Sequence, residues 1–249
     1  MLTFIIPAYN EDQNIGLLLE KFSVLGIGAE GYHIIVIDDG SHDRTVEVVR
    51  SFENRLPITL ISHQVNRGVG AVFRTGFENA LKKTTPSDVI ITMEADNTSD
   101  LGILPEMLAK VRSNSDLVLA SCYARGGRIE GTNVWRKLLS WGANLILVLA
   151  FPIQGVKTYS SFYRAYNAGF LQKAMNTYKE QFIEQPGFVC MVEVLVKMDR
   201  INARITEVPL VLKINNRKGA SKMRVWRTIR DYLEFIYKDI RNRRKSIQA

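Results

Sequence analysis

Residues 88–96 read DVIITMEAD, an apolar run that ends in two carboxylates. A short continuous apolar run of this kind is typical of a strand that is buried on both faces of a sheet. The same arrangement occurs at 2–11 (LTFIIPAYNE) and at 33–41 (HIIVIDDGS), where polar residues follow the apolar run directly. Segments with apolar residues at helical spacing come after these runs. The alternation predicts an α/β fold with a mostly parallel central sheet and helices on both faces.

The rest of the chain extends this pattern. We predict strands at Leu2–Pro7, His33–Asp38, Ile58–Ser62, Asp88–Met93, Asp116–Ala120 and Ile205–Leu212. We predict helices at Asn14–Leu25, Arg44–Phe52, Val69–Leu81, Ile103–Val111, Val134–Ala150, Cys190–Met198 and Val225–Arg243. Because no repeat or low-complexity linker divides the chain, we expect one domain at 1–223 and a basic amphipathic helical extension at 224–249.

The composition limits the class of protein. The chain has 249 residues, 46% of them hydrophobic, which is enough for a large core. Its two cysteines, Cys122 and Cys190, lie far apart, which argues against a disulfide framework or a zinc site. The first residues become polar too soon for a signal peptide, and the longest apolar stretch, 145–153, has about half of the ~20 residues of a membrane span. We therefore expect a cytoplasmic protein, with 145–153 in a buried or an interfacial helix.

The net charge of +8 is concentrated near the C-terminus. The segment 217–245 carries eleven basic and three acidic residues, so the remainder of the chain is neutral. From Trp226 to Ile240, with Leu233 between them, apolar residues recur at steps of three and four, which predicts an amphipathic helix with a basic polar face. Such a helix fits a solvated cover on the sheet, the surface of an anionic bilayer, or a membrane-anchored subunit.

Acidic side chains follow three of the predicted strands. Glu94 and Asp96 are two positions apart, so an extended chain places both carboxylates on one side. Asp38 and Asp39 end a second strand, and Glu11 comes shortly after a third. Each group alone fits a turn or a helix cap equally well. Because the carboxyl ends of parallel strands meet at one edge of a sheet, the three groups together indicate a shared ligand, and hard divalent cations prefer such oxygen ligands.

Four segments resemble, in this order and spacing, the family 2 inverting glycosyltransferases of the GT-A fold: PAYNE (7–11), VIDDGSHDRT (36–45), NRGVGAVFRTGFENA (66–80) and MEADNTSD (93–100). The match continues in RKLLSWGANLIL (136–147), SSFYRAYNAGFL (160–171) and NNRKGASKM (215–223), as in dolichyl-phosphate mannose synthases and related polyprenyl-phosphate glycosyltransferases. The resemblance implies transfer of a hexose, with inversion, from a GDP- or UDP-linked sugar to a polyprenyl or dolichyl phosphate. It also implies Mg²⁺ or Mn²⁺ as cofactor and a peripheral position on the cytoplasmic membrane face.

The resemblance implies roles for individual residues. The nucleotide sugar would lie against Pro7, Tyr9, Glu11, Asp38, Asp39, Arg67, Glu94, Ala95 and Asp96. Asp39 would accept a hydrogen bond from the base, and Glu94 and Asp96 would bind the metal. The acceptor phosphate would bind Arg136, Ser140, Arg217 and Lys222. Catalysis would depend on Asp96, Arg136 and Glu193.

The sequence departs from that branch at several positions. Glu94 replaces the usual first Asp of the metal motif, and Thr98 stands where Gln often assists. Cys122 takes the place of an acceptor-binding Arg, while Thr158 and Phe162 replace an Asp and a Gly. These departures bear on the acceptor more than on the nucleotide sugar.

The nature of the acceptor decides what Glu193 does. A phosphate monoester is already ionised near neutral pH and needs no general base. A sugar hydroxyl, in surface polysaccharide or glycan synthesis, needs a carboxylate within hydrogen-bond reach, and Glu193 is then the candidate. The other interpretation is that Glu193 orders the site.

Two further classes of protein fit the sequence less well. A non-catalytic module that binds nucleic acid or a membrane surface would use the basic C-terminal segment. Acids at three strand ends would repel phosphate in the absence of a metal, so we expect no nucleic-acid partner. A Rossmann dehydrogenase is a poorer fit, because no glycine-rich fingerprint follows the first strand.

Overall fold

A computed structural model describes residues 1–24, 31–219 and 225–248. The strands are β1 Leu2–Ala8, β2 Tyr32–Asp38, β3 Ile58–Ser62, β4 Val89–Thr92, β5 Leu117–Ser121, β6 Arg128–Glu130, β7 Arg164–Asn167, β8 Ile205–Pro209 and β9 Val211–Lys213. The helices are α1 Ile15–Ser23, α2 Thr45–Arg50, α3 Val69–Leu81, α4 Leu104–Arg112, α5 Val134–Ala150, α6 Ala168–Tyr178, α7 Cys190–Arg200 and α8 Val225–Gln248.

Seven strands form the central sheet, in the order β3-β2-β1-β4-β7-β5-β8. All neighbours pair in parallel except β7, which runs antiparallel to both β4 and β5. A parallel pair, β6 and β9, forms a second small sheet. The predicted α/β fold with a mostly parallel sheet and a C-terminal helix is confirmed.

The sheet is buried on both faces because its strands are apolar at successive positions. On β1, Phe4 and Ile6 contribute to one core layer, and Ile5 between them contributes to the other. Helices α1 and α4 cover the first layer, whereas α3, α6 and α7 cover the second. This double coverage explains why the strands show continuous apolar runs rather than an alternation of apolar and polar residues.

The pairing register brings the polar strand ends to one edge. Ala8 at the end of β1 pairs with Asp38 at the end of β2, and Asp38 pairs with Ser62 at the end of β3. On the other side of β1, Ile5 pairs with Thr92 at the end of β4. The segments that follow β1, β2, β3 and β4 therefore leave the same edge of the sheet.

The predicted strand Ile205–Leu212 is divided in the structure. β8 pairs with β5 and ends at Pro209, and β9 then pairs with β6 in the small sheet. Leu210 lies between the two strands, where its N–H donates to the carbonyl of Ser121 at 2.9 Å. A proline has no N–H for the sheet ladder, which is consistent with the end of β8 at that residue.

Helix α8 is confirmed, but a different face of it is buried. Tyr232 and Phe235 pack into the core, and the Phe235 ring lies 5.5 Å from the ring of Phe151. Trp226 and Leu233, which belong to the predicted apolar stripe, are 77% and 51% exposed. The predicted apolar stripe therefore faces outward at Trp226, Leu233 and Ile240, because the aromatic residues beside it make most of the contact with the body.

Helix α5 is the most exposed of the apolar helices. Of its 17 residues, Asn144 and Leu147 are buried. Its exposed apolar side chains are Val134, Trp135, Leu138, Leu139, Trp141, Leu145, Ile146 and Leu149. No helix within 1–24, 31–219 and 225–248 combines the length and the hydropathy of a membrane span.

Candidate active site at the carboxyl edge of the sheet

Asp96 lies in the turn after β4 and is 5% exposed. Its Oδ1 accepts hydrogen bonds from the backbone N–H of Thr98 at 3.0 Å and from the Thr98 hydroxyl at 2.6 Å. Its Oδ2 forms an ion pair with the guanidinium of Arg217. One oxygen of this buried carboxylate is thus used to shape the turn, and the other faces a cation.

Glu94 is held just before Asp96. Its Oε1 accepts from the backbone N–H of Phe162 at 3.3 Å, and its Oε2 accepts from the Ser99 hydroxyl at 3.0 Å. The position replaces the usual Asp of the resembled motif, and the longer side chain makes contacts with two separate loops. Ala95 between the two acids is buried.

These residues fit a divalent cation that a diphosphate would share. Asn97, next to Asp96, has a φ of 65°. Its buried Oδ1 has no hydrogen-bond partner within the described part of the chain. Over the same residues, no cluster of three or more His, Cys, Asp or Glu side chains forms a complete metal cage. Mg²⁺ is commonly bound by one or two carboxylates plus substrate phosphates, and the oxygens present here suit that arrangement.

Arg217 contacts Asp96 from a loop that hydrogen bonds hold next to the site. The amide of Asn14 binds the backbone of Lys218 on both sides, with Lys218 N donating to Oδ1 at 2.7 Å and Nδ2 donating to Lys218 O at 2.9 Å. The backbone N–H of Lys213 donates to the carbonyl of Thr98 at 3.2 Å. The predicted acceptor residue Arg217 therefore lies directly at the predicted metal site. Lys222 lies outside the described residues.

Asp39 organises the turn that follows β3. Its Oδ1 accepts from the backbone N–H of Arg67 at 2.9 Å, and its Oδ2 accepts from that of Gly68 at 2.8 Å. The ring of His63 is a third partner, 2.8 Å from Oδ1 through Nδ1. The Arg67 side chain is exposed, so this residue contributes its backbone to the contact. Both oxygens of Asp39 thus have partners within the protein.

The other nucleotide candidates surround the ends of β1 and β2. Pro7 and Tyr9 are half-buried where β1 ends. The Glu11 N–H donates to the Thr45 hydroxyl at 2.8 Å. Asp38 is 2% exposed and accepts from the N–H of Ser41. These residues, Asp39 and Asp96 all follow strand ends at the same edge of the sheet, which forms a polar rim.

Gly40 allows a tight turn shortly after β2. Its φ is +70°, and a Cβ at this position would lie 2.7 Å from the carbonyl carbon of Val65. An L side chain is disfavoured on both counts. The glycine therefore lets the loop after β2 approach the loop after β3.

Glu193 is buried in α7 and both of its oxygens are in use. Oε2 accepts the N–H groups of Glu184 and Gln185 at 2.9 Å each, and Oε1 forms a 2.7 Å ion pair with Lys197. The loop that it holds continues to Pro186, whose carbonyl accepts the N–H of Gly70 at 3.0 Å. These contacts favour the interpretation that Glu193 orders the site.

Arg136 and Ser140 both lie on α5, the exposed helix. Both side chains are exposed, and the Ser140 hydroxyl is 2.7 Å from the hydroxyl of Tyr123. Burial raises the pKa of Tyr123 to about 12 and that of the adjacent Cys122 thiol to about 11, so both groups are neutral near pH 7. Within the described residues, no hydrogen bond or ion pair joins Arg136 to Asp96 or to Arg217.

Sequence reasoning missed several residues that shape this edge. His63 follows β3 as the acids follow the other strands, and that position was the available signal. Asn14 had no such signal, because it contacts Lys218, 204 residues further along the chain.

Comparison with known proteins places the chain in a family. The model of the family described as glycosyl transferase family 2 matches residues 3–187.

The chain belongs to glycosyl transferase family 2.

Three similar proteins have related names. The chain is 30% identical over 240 residues to a dolichol-phosphate mannosyltransferase of Pyrococcus furiosus, covering 95% of this chain and 63% of that protein. It is 29% identical to an undecaprenyl-phosphate mannosyltransferase of Micrococcus luteus, covering 88% and 86%. It is 27% identical to a polyprenol monophosphomannose synthase of Mycolicibacterium smegmatis, covering 88% and 79%. The chain thus spans less than two thirds of the Pyrococcus furiosus protein.

Solved structures confirm the GT-A fold of this family 2 chain. Glucosyl-3-phosphoglycerate synthase from Mycobacterium tuberculosis, in complex with Mn²⁺, UDP and glucosyl-3-phosphoglycerate, superposes with a TM-score of 0.62 at 18% identity, covering 90% of this chain and 73% of that one. TarS 1-349 of S. aureus, in complex with UDP-GlcNAc, gives a TM-score of 0.58 at 19% identity, covering 88% and 59%.

Proposed function

We propose that this protein transfers a hexose, with inversion, from a GDP- or UDP-linked sugar to a polyprenyl or dolichyl phosphate at the cytoplasmic face of a membrane. The observation that carries the proposal is the buried Asp96 carboxylate, which faces a cationic side chain at the edge where β1, β2 and β4 end. The three relatives named for transfer to polyprenyl-type phosphates support the choice of acceptor.

The donor would bind along the rim formed by Asp38, Asp39 and Asp96. Asp39 accepts hydrogen bonds from the backbone N–H groups of Arg67 and Gly68. It would therefore position this turn and also lie next to the base of the nucleotide. Asp96, with Glu94 beside it, would hold Mg²⁺ or Mn²⁺, which neutralises charge on the departing diphosphate when bound. The two structures of similar fold that contain UDP or a UDP-sugar support a nucleotide-sugar donor.

A phosphate acceptor suits the site better than a sugar hydroxyl. A hydroxyl nucleophile needs a free carboxylate to accept its proton. Glu193 is buried, paired with Lys197 and bonded to two backbone N–H groups, so it already has three partners. A phosphate needs cations for positioning, and Arg136 and Arg217 supply guanidinium groups.

A membrane location is supported by the exposed faces of α5 and α8. Trp135 and Trp141 on α5 are 76% and 55% exposed, and Trp226 on α8 is 77% exposed. Tryptophan is suited to a membrane–water interface, because its ring is apolar and its N–H is polar. The basic residues of 217–245 add attraction to an anionic bilayer or to a membrane-anchored subunit.

Transfer assays test the acceptor. The purified chain, a GDP- or UDP-hexose and Mn²⁺ would be incubated with a short-chain polyprenyl phosphate or with a free sugar. Arg136→Ala should slow transfer to the lipid phosphate by roughly 1.5–3 kcal/mol in kcat/KM, the scale of a hydrogen bond to a charged group. Lys137→Ala, its exposed neighbour, is the matched control and should have little effect. Transfer to the sugar but not to the phosphate would contradict the proposal.

Asp96→Asn tests the metal site. The amide has the shape of the carboxylate but lacks its charge, so transfer and the Mn²⁺-dependent part of nucleotide binding should be lost while the melting temperature changes little. Asp100→Asn, an acid of the same loop whose side chain is 44% exposed, is the control. Full transfer by Asp96→Asn, or by the native chain in excess chelator, would remove Asp96 from the mechanism.

A further inference from the structure

The segment 157–162 is a partly buried loop whose backbone is held by side chains from several elements. On β8, one oxygen of Glu207 accepts the N–H groups of both Lys157 and Thr158, at 2.7 Å each. Glu207 is on an edge strand, so this contact fixes the beginning of the loop to the sheet.

Arg164 holds the middle of the loop from the other side. Its side chain is fully buried, and its guanidinium donates to the carbonyls of Tyr159 at 2.8 Å and Ser161 at 2.7 Å. A third bond, to the carbonyl of Met191 at 2.8 Å, connects the loop to α7. Charged donors make strong hydrogen bonds in a buried setting, so the loop is closely restrained here.

Asn144 connects the same loop to the exposed helix α5. Its Nδ2 donates to the carbonyl of Lys157 at 2.5 Å, and its Oδ1 accepts from the N–H of Tyr159 at 3.1 Å. The amide thus bonds the backbone on both sides of residue 158, as a neighbouring strand would. Because Leu147 is the other buried residue of α5, Asn144 is a principal attachment of this helix to the body.

The far end of the loop contacts the acidic pair. The Phe162 N–H donates to Glu94 Oε1 at 3.3 Å, and the Phe162 carbonyl accepts from the Thr92 hydroxyl at 2.6 Å. Only Ser160 and Ser161 therefore separate Tyr159, where α5 is attached, from Phe162, which contacts a carboxylate of the proposed metal site.

We infer that Asn144 is a positioning residue: it fixes the loop 157–162, and through the Phe162 N–H it sets the place of Glu94 relative to α5. The inference deepens the proposed function, since it concerns the same site, and it requires no particular acceptor. An amide is needed, because the position must offer a donor to one backbone group and an acceptor to another.

Asn144→Asp tests this inference with little change in shape. One oxygen can still accept from Tyr159, while the other replaces the donor and faces the carbonyl of Lys157. Amide hydrogen exchange at 157–162 should accelerate about tenfold or more, which corresponds to about 1.4 kcal/mol of lost local protection. The affinity for Mn²⁺ in the presence of a nucleoside diphosphate should fall several-fold. In transfer assays, the kcat of Asn144→Asp should fall, while its KM for the nucleotide sugar stays nearly constant.

Asn167→Asp is the matched control. The Asn167 side chain caps α6 by accepting the N–H of Phe170 at 2.9 Å, and aspartate performs this role equally well. Asn167 lies at the end of β7 that pairs with Val89, away from the acidic rim. The control should leave the exchange at 157–162 and the Mn²⁺ affinity unchanged.

A double-mutant cycle separates positioning from general destabilisation. If Asn144 acts through Glu94, Asn144→Asp should not weaken Mn²⁺ binding further in the Glu94→Gln background. Equal weakening in both backgrounds, or faster exchange spread over the whole sheet, would overturn the inference. So would unchanged exchange and unchanged Mn²⁺ affinity in folded Asn144→Asp. Should that variant not fold, Asn144→Ala, which removes both bonds without adding a charge, gives the same readings.

These measurements distinguish this inference from the proposed function. Hydrogen exchange and Mn²⁺ affinity need no lipid phosphate, so they stand even if the acceptor is a different molecule. Absence of transfer by the native chain would contradict the proposed function alone.

Discussion

The guanidinium of Arg217 occupies the space next to Asp96 Oδ2 in which a metal ion would bind. Because its guanidinium pairs with Oδ2 of the carboxylate, a cation can reach that oxygen only after the ion pair opens. Arg217→Gln should therefore tighten Mn²⁺ binding in the absence of nucleotide by about three- to tenfold, since a partly exposed ion pair is worth roughly 1 kcal/mol. Electron paramagnetic resonance of free Mn²⁺ measures this directly.

A control for Arg217 is available on the surface. Arg55 forms an exposed ion pair with Glu20, on the α1 side of the sheet, so Arg55→Gln removes the same charge without touching the site. It should leave Mn²⁺ binding unchanged. Weaker Mn²⁺ binding by Arg217→Gln would mean that this arginine assists the metal site instead of competing for it.

At the level of single residues, sequence reasoning found positions better than it found contacts. The acids after β2 and β4 were predicted to lie on one rim, and the register places them there. Lys197 lies four residues after Glu193 on α7, so helical spacing could have indicated this pair, and the position of His63 after β3 was a signal for the partner of Asp39. The contacts of Asn14 and Arg217 were not predictable, because both residues act on loops far away in the sequence.

The loop 157–162 is also where the structure predicts a dependence on pH. Burial raises the pKa of Glu207, although the N–H groups of Lys157 and Thr158 oppose the shift. The folded state therefore binds this proton more tightly than the unfolded state, so stability falls as pH rises from the ordinary glutamate pKa through the raised value. Glu207→Gln keeps an acceptor oxygen and removes the titration. Its melting temperature, relative to the native chain, should rise with pH across that window.

A melting-temperature difference that is flat between pH 4 and pH 7 would contradict this expectation. Glu130→Gln is a suitable reference, because Glu130 is partly exposed and pairs with Arg128 at the surface. This variant removes one carboxylate without touching the loop 157–162, so it controls for the change in net charge.

Helix α8 allows a test of which face is buried. Phe235 is 8% exposed and packs on Phe151, so Phe235→Ala should destabilise the chain by about 3–5 kcal/mol. Trp226 is 77% exposed, so Trp226→Ala should change the free energy of unfolding by no more than roughly 0.5 kcal/mol. Urea unfolding followed by circular dichroism measures both. The reverse ranking would mean that the predicted apolar stripe, rather than the aromatic face, contacts the body.

The helices and strands were predictable to different degrees, and the reasons are physical. Helices α3 and α5 begin and end as the periodicity indicates, because a long amphipathic pattern is a local property. Strand β7 and helix α6 were missed, although Asn167 before α6 is a usual helix cap. For Val134–Ala150, the sequence left a buried and an interfacial helix open, and only the surrounding structure decides that most of it is exposed.

For the whole molecule, the distribution of charge leads to a further expectation. The body is neutral, and the +8 charge resides in 217–245, so attraction to a bilayer should act through one end. Each basic residue near an anionic surface contributes about 1 kcal/mol within a Debye length of ~8–10 Å. The chain should therefore sediment with anionic vesicles at low salt, dissociate as salt rises, and not bind neutral vesicles. If it remains in the supernatant with anionic vesicles at low salt, a membrane-anchored subunit is the better explanation.

The position of the three tryptophans has a practical consequence for spectroscopy. Trp135, Trp141 and Trp226 are the only tryptophans of the chain, and each is more than half exposed. The native protein should therefore emit tryptophan fluorescence at long wavelength. The emission maximum should change little when the core unfolds. Contact of α5 or α8 with lipid would instead move that emission to the blue. Tryptophan fluorescence therefore reports on the surfaces of α5 and α8. With excitation that selects tryptophan, the buried tyrosines do not contribute to the signal.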